Sequence, residues 1–420
     1  MWRLNAGRRK LRILFLAQCY WPEEVSAAVL ISELATDLVR HGHEVTVVTG
    51  APSYPRGRVF PGYRNQIYGV ERREGVRVVR VWSYLSPEKS FWPRILHYGT
   101  YSASAFYGGL FSGKPDVLVS YTPPLPLGIS AWALSRLWGI PWTLEVEDLY
   151  PDAAVAIGAL KNKRIIAFFS ALERFIYKRA SRIILISEGF RRNLLAKGVP
   201  EEKLAVIPVW ADPDVIYPMS KENAFRARHG LDGKFVVMYA GNIGLTSCLE
   251  DVLAAAEVLR NESEVRFVIV GEGVKKDDLR AAAREKGLDN LLFLPFEPRE
   301  VFAEMMAAAD VNLVTLNPSS AQTSLPSKTF NIMASARPIV AVTPPGSEIA
   351  QLVESANCGI NVPTEQPELL AQAILEIKNQ PERLREMGNN GRSQLENHYS
   401  RAHCVSQSEQ LLLSLHTKKK

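Results

Sequence analysis

Cysteine is scarce in this chain: Cys19, Cys248, Cys358 and Cys404 are all there is. No two of them form a CxxC pair. That excludes a structural zinc site and a disulfide framework, and it fits a reducing cytosol. No run of about 18 uncharged apolar residues occurs, so no membrane-spanning helix is expected. The basic opening MWRLNAGRRK leads into a strand pattern, not into a long apolar segment with a small-residue cleavage site. A signal peptide is therefore not expected. The fingerprint GxGxxG is missing after the first apolar run, where residues 18–26 read QCYWPEEVS. The P-loop pattern GxxxxGK followed by Ser or Thr is missing as well. These gaps exclude the usual dehydrogenase and P-loop readings. Short-period repeats and low-complexity tracts are also absent.

What is present points to an α/β protein. The 420 residues are 47% hydrophobic, enough for two or three domains with cores of their own. RILFLAQ (12–18) reads as a buried strand. Apolar residues at 27, 30, 31, 34, 35, 38 and 39 then recur at helical spacing, Gly42 stands where the helix should stop, and EVTVVTG is a second strand. Strand–helix–strand with short connections implies a parallel sheet with right-handed crossovers. VRVVRVWSY, DVLVSY, WTLEVED, RIILIS and LAVIPV continue the rhythm, with helical patterns between them, notably at 164–180. The rhythm restarts after residues 210–220 with FVVMYAG, VRFVIVGEG, NLLFLPF, DVNLVTL and PIVAV. Two doubly wound halves are expected: residues 1–212 and 213–403. The helical pattern at 404–415 would cross back onto the first half.

Charge is unevenly placed. Residues 1–212 hold 28 Lys and Arg against 18 Asp and Glu, whereas the remainder holds 22 against 26. A basic first half suits an anionic surface or substrate: phospholipid, lipid diphosphate or nucleic acid. The alternative is a basic surface that is merely solvated.

In open parallel sheets, ligands bind beyond the carboxyl ends of the strands. Three loops there suit a diphosphate. YAGNIGLTSCLEDVL offers Gly241, Asn242 and Gly244 ahead of a helix expected near Leu249. VGEG offers Gly271 and Gly273. TSLPSKTFNIMASARPIVA opens a helix with Pro326, Ser327 and Lys328, a hydroxyl and a cation at the positive end. Each glycine loop is alternatively an ordinary tight turn. In the first half, Glu147 and Asp148 of EVEDLYPD end a strand and either meet a substrate or cap the next helix. Tyr20 and Trp21 either line a site or pack. His41 and His43, at a helix end, are expected to be structural.

With these residues in view, the chain resembles a GT-B glycosyltransferase of the family 4 type. It is similar to the branch that builds O-antigen, colanic-acid and exopolysaccharide units, fucosyl and N-acetylfucosaminyl transferases included. QCYWPEEVSAA, LATDLVRHGHEVTVVTGAPSYPRG, EDLYPDAAV, VIPVWAD, YAGNIG, FVIVGEG and LPSKTFNIMASARPIVA carry the resemblance, in that order, along nearly the whole chain. It implies two facing Rossmann-like domains with a cleft between them. It also implies a nucleoside-diphosphate sugar on the second domain, an acceptor on the first, no cofactor, no metal, and retention of configuration. On this reading Lys328, Glu147 and Asp148 are catalytic. Gly241, Asn242, Gly244, Gly271, Gly273, Ser327, Lys328 and Asn331 hold the donor.

The chain departs from the family where a pair of glutamates is common. Those slots read Thr323, beside Gln322, and Asn331. The slots for Arg and Lys in the first loop read Asn242 and Ser247. Lys328 is then expected to be the only cation these loops offer. Polysaccharide units grow on a lipid diphosphate at the inner membrane face, which implies a cytoplasmic protein peripheral to that surface, with a lipid-linked saccharide acceptor and no nucleic acid partner. The aromatic stretch 89–112, the basic-aromatic stretch 161–182, and Arg8, Arg9 and Lys10 suit interfacial attachment, or else form ordinary core helices. Two other readings remain open at this point: a UDP-sugar 2-epimerase, and a degenerate GT-B protein acting as a membrane-associated assembly partner.

Overall fold

A computed structural model describes residues 9–88, 90–321 and 325–417. The chain divides into two units. One comprises the described residues up to Val155, Leu160–Pro208 and those from Val405 onward. The other comprises Ala156–Ala159 and Val209–Cys404. The chain passes from the first unit into the long segment of the second at Pro208–Val209.

The first unit is built on eight strands: β1 (Arg12–Leu16), β2 (Glu44–Thr49), β3 (Tyr68–Arg73), β4 (Val76–Val81), β5 (Val117–Thr122), β6 (Trp142–Val146), β7 (Arg182–Leu185) and β8 (Leu204–Val206). Their order in the sheet is β3-β4-β2-β1-β5-β6-β7-β8. Every pairing is parallel except β3 with β4, which is antiparallel. The sheet is therefore not wholly parallel, contrary to expectation. The reason is local. Glu74 and Gly75 both take positive φ, 47° and 84°, the geometry of a two-residue hairpin turn. β3 is an edge strand with no fully buried residue, so no apolar run announces it. β5, by contrast, is buried at every position, as a central parallel strand must be.

The second unit holds β9 (Phe235–Ala240), β10 (Val265–Val270), β11 (Leu291–Leu294), β12 (Val311–Thr315), β13 (Ile339–Val342) and β14 (Gly359–Val362), all parallel, in the order β11-β10-β9-β12-β13-β14. Strand order reverses between β1 and β5 in the first sheet and between β9 and β12 in the second. The loops leaving those strands at the carboxyl edge are where such sheets take ligands.

The helix Ser26–Arg40 buries Leu30, Ile31, Leu34, Ala35 and Leu38, the stripe its spacing predicts. It stops at Gly42, whose φ of 97° suits glycine, and the His43 amide reaches back to the Leu38 carbonyl. His41 and His43 then meet the terminal helix Arg401–Thr417. Glu409 accepts from His41 Nδ1 at 2.9 Å and from His43 Nε2 at 3.1 Å. His43 Nδ1 accepts the Leu11 amide at 3.1 Å, which leaves Nε2 to carry the proton. Both histidines are structural, as expected.

Three further helices of this unit bear on its surface. Phe91–Phe111 and Leu127–Trp138 contain no Asp or Glu, and Lys163–Arg179 contains only Glu173, buried and paired with Lys197 at 2.7 Å. The first of them is not an ordinary core helix. Trp92, Leu96, Tyr107 and Phe111 recur at helical spacing and are all exposed, from 52% to 68%. Phe168 on the third is 64% exposed. No helix is long and apolar enough to cross a membrane among the described residues.

Candidate active site

In the second unit the three expected loops leave β9, β10 and β12. Gly241 and Gly271 both have φ of 151°, a region in which L side chains are strained. A Cβ on Gly271 would lie 1.9 Å from the Gly241 carbonyl oxygen, and one on Gly273 would lie 2.1 Å from that of Ile243. The two loops are laced together: the Ile243 amide donates to the Glu272 carbonyl at 2.8 Å and the Lys275 amide to Ile243 at 3.2 Å. The glycine identity of Gly271 and Gly273 is thus accounted for by loop packing. Gly241 is different. A Cβ there would meet Lys328 Nζ at 2.7 Å, so this glycine clears space for the lysine.

Lys328 begins the helix Lys328–Ala334, with Ser327 at its N-cap. Its Nζ lies 3.5 Å from the centre of the Tyr239 ring, a cation–π contact. The Tyr239 hydroxyl donates to the Asn242 carbonyl at 2.7 Å, which holds the ring and ties the first loop back to the end of β9. Burial lowers the Lys328 ammonium to about 7. Among the described residues no carboxylate pairs with it, and nothing accepts from the Ser327 or Lys328 amides. Asn331 stands three residues on, on the same helical face, half-buried and without a side-chain partner among the described residues. The Asn242 side chain is exposed and lies across Gly244. Ser247 is buried and donates to the Gly244 carbonyl at 2.9 Å, so it shapes the loop from within. Gln322, Thr323 and Ser324 lie outside the described residues.

One expectation needs correction. Lys328 is not the only cation at these loops, because Lys275 and Lys276 follow Gly273. Both are already neutralised. Lys275 pairs with Glu250, and buried Lys276 donates to Glu272 at 2.7 Å and to the Gly271 carbonyl at 2.8 Å. Among the described residues, Lys328 is the cation of these loops left without an anion.

In the first unit, Glu145, Glu147 and Asp148 follow one another at the end of β6. Neither Glu147 nor Asp148 hydrogen-bonds the helix Asp152–Ala156, so the capping alternative fails. Desolvation raises Glu147 well above the carboxylate range, and the charges of Glu145 and Asp148 push it further. Desolvation raises Glu145 to about 7. Asp148 keeps solvent contact, yet the surrounding protein raises it to about 6. Perturbed carboxylates at a strand's carboxyl end suit substrate contact.

Several neighbours carry no signal in the sequence. Gln18 at the end of β1 contacts His97 Nε2 at 2.5 Å, and His97 Nδ1 donates to the Tyr84 carbonyl at 2.7 Å. Burial lowers the His97 pKa, consistent with a neutral ring. Arg94, His97, Tyr98 and Tyr101 share one face of Phe91–Phe111, a spacing that was open to inspection. Tyr20 is 1% exposed and is a packing residue. The Trp21 ring carries the Arg73 guanidinium at 3.5 Å, so one of its faces is covered.

Glu23 is the other surprise. It is buried, and desolvation raises its carboxyl. Its Oε1 accepts the amides of Ser53 (2.8 Å) and Tyr54 (2.7 Å), and Oε2 that of Tyr20 (3.3 Å). One carboxylate therefore fastens the loop after β2 to the loop after β1. Glu23→Ala should destabilise the first unit by about 2–4 kcal/mol, since it leaves buried amides unpaired. Glu23→Gln, which keeps one acceptor oxygen, should recover part of that. Calorimetric unfolding of both variants checks this, and a loss below about 0.5 kcal/mol for the alanine variant would contradict it.

Comparison with known proteins gives this geometry a family. Residues 27–210 match the glycosyl transferase 4-like domain, and 221–394 match the glycosyl transferases group 1 domain. Glycosyltransferase WbjE of Pseudomonas aeruginosa is 31% identical over 307 residues, covering 71% of this chain and 76% of its own. The chain belongs to glycosyltransferase family 4. A further relative of this transferase, named for colanic acid biosynthesis, is the glycosyl transferase WcaI of Escherichia coli K12. It is 29% identical over 354 residues, covering 82% of this chain and 86% of that one. Solved structures show the GT-B fold. Sucrose-phosphate synthase from Thermosynechococcus elongatus superposes with a TM-score of 0.76 at 19% identity, over 97% of this chain and 100% of that one. Anabaena HepE in complex with UDP-glucose superposes at 0.70 and 15%, over 96% and 100%. Among the described residues of the transferase, no group of three or more His, Cys, Asp or Glu is arranged to hold a metal.

Proposed function

We propose that this transferase moves a sugar from a nucleoside-diphosphate sugar to a lipid-linked saccharide in the synthesis of a bacterial surface polysaccharide, with retention of configuration. The observation that carries the donor assignment is Lys328: among the described residues, a half-buried cation with no anion, at a helix start whose first amides are unspent. A ligand that brings its own negative charge completes it. The diphosphate takes Lys328 and the amides of Ser327 and Lys328, and Asn331 takes a ribose hydroxyl. As the glycosidic bond to the diphosphate breaks, charge builds on the leaving oxygens, and Lys328 opposes it. Glu147 and Asp148 orient the acceptor hydroxyl. The relative named for colanic acid biosynthesis and the UDP-glucose complex of HepE support this reading. So do the exposed aromatics of Phe91–Phe111, which suit a lipid surface and a cytoplasmic, peripheral placement.

A panel of UDP- and GDP-sugars, assayed with and without a lipid extract, tests the proposal. Sugar transfer only when lipid is present supports it. Epimerisation of the donor without acceptor would replace it with the epimerase reading, and nucleotide binding without any turnover would favour the assembly-partner role.

The pH dependence is specific. Asp148 must be ionised, which holds above about 6, and Lys328 protonated, which holds below about 7 in the free enzyme. The profile of kcat/KM should be bell-shaped with limbs near those values. Bound diphosphate favours the ammonium, so the alkaline limb of kcat should lie at higher pH than that of kcat/KM. Asp148→Asn should remove the acid limb, and a flat profile between pH 5 and 8 would rule out both roles.

A further inference from the structure

The donor loops lie at the carboxyl edge of the second sheet. At the amino edge of the first sheet, where β6 and β7 begin, a separate open hollow of about 540 Å³ is lined by Arg136, Arg179, Arg182, Ser135, Ser181 and Leu415. No carboxylate of the described residues lines it. We propose that this hollow binds a phosphoryl anion, either the headgroup of an anionic lipid or a free phosphate compound.

Three guanidiniums facing one hollow repel one another, so their convergence needs a reason. The ordinary reason for cations there is to bond the last carbonyls of the helices Leu127–Trp138 and Lys163–Arg179. Several of those carbonyls are already served. Ser135 and Arg136 carbonyls accept the amides of Ile140 and Gly139. Lys203 Nζ donates to the carbonyls of Lys178 (2.7 Å) and Ala180 (3.0 Å). Each guanidinium carries five N–H donors. Among the three arginines, the single acceptor found in the described residues is the Glu202 carbonyl, which takes Arg182 Nη1. Arg179 lies by the rings of Trp132 (5.9 Å) and Phe175 (5.4 Å), contacts that hold the guanidinium without using its N–H groups. The Ser181 hydroxyl accepts the Trp142 amide at 3.2 Å and keeps its own proton to donate. Unspent planar donors with no carboxylate nearby are the chemistry that recognises phosphoryl oxygens. The lining residues Ile140, Pro141 and Leu415 add apolar surface on which an acyl chain would rest.

The test uses the full chain and two triple variants. One changes Arg136, Arg179 and Arg182 to Gln. The other changes exposed Arg280, Arg284 and Arg383 of the second unit to Gln, removing the same charge elsewhere. Sedimentation is measured with phosphatidylcholine vesicles that contain or lack phosphatidylglycerol. Calorimetric titration with inorganic pyrophosphate is run in a Lys328→Met background, which silences the donor seat. The Arg136, Arg179, Arg182 variant should weaken binding of anionic vesicles, pyrophosphate or both by at least about tenfold, with the control triple little changed. Loss on vesicles alone identifies a lipid headgroup, and loss of pyrophosphate binding identifies a free anion. Equal losses in the two triple variants, or none in either, would overturn the proposal.

Discussion

Lys328→Ala is expected to lower turnover by about 10²–10³-fold, the usual cost of removing one preorganised group that opposes developing charge. The fold should not suffer, and Lys328→Met makes that point sharply. In the folded chain the ammonium titrates near 7, well below its value in an unfolded chain. Between about pH 7 and 10 the unfolded state therefore binds more protons, and this group's contribution to stability rises with pH. At neutral pH and below, the folded chain carries a cation it would rather not bury. Methionine keeps the contact with Tyr239 and removes the charge. We expect Lys328→Met to unfold at a temperature about 2–4 °C higher, corresponding to about 1 kcal/mol, while turnover falls as in the alanine variant. Loss of stability and activity together would mean that Lys328 is a structural residue.

The second large effect concerns Gly271. Gly271→Ala brings a methyl group to 1.9 Å from the Gly241 carbonyl and forces a side chain onto a backbone with φ of 151°. Backbone cannot yield as a side chain can. Overlap and strain together should cost the second unit about 3–5 kcal/mol. Scanning calorimetry, which follows the units separately if they unfold apart, should show the transition of the second unit lowered by about 10 °C or more. Gly244→Ala is the control. Its Cβ would meet only the end of the Asn242 side chain, at 2.7 Å, and that can swing aside. A Gly271 variant no worse than the Gly244 one would show that the loops are not braced as described.

The contrast between these glycines explains what the sequence could and could not say. GxG after a strand announces a tight loop, but whether the missing side chain admits a ligand or a neighbouring loop depends on residues some thirty positions away. Lys328 and Ser327 were legible because helix starts have a known polarity and a known composition. The pairing that neutralises Lys275 and Lys276 was not, since Glu250 comes from another loop. The central strands were legible from their apolar runs. β3 and β14 were not: one is an exposed edge strand, and the other, GINV, is four residues with only Val362 buried. Glu23 was hidden for a related reason. A carboxylate between Pro22 and Glu24 looks like surface, and only the fold shows which amides it serves.

Glu409 draws the helix Arg401–Thr417 into the first unit, so that unit is assembled from segments on either side of the second in the chain. During synthesis the ribosome delivers His43 366 residues before its carboxylate partner. The amino-terminal half therefore waits, with that face uncovered, until translation of the other half is complete. Cutting the gene between the two halves would not yield two independent proteins.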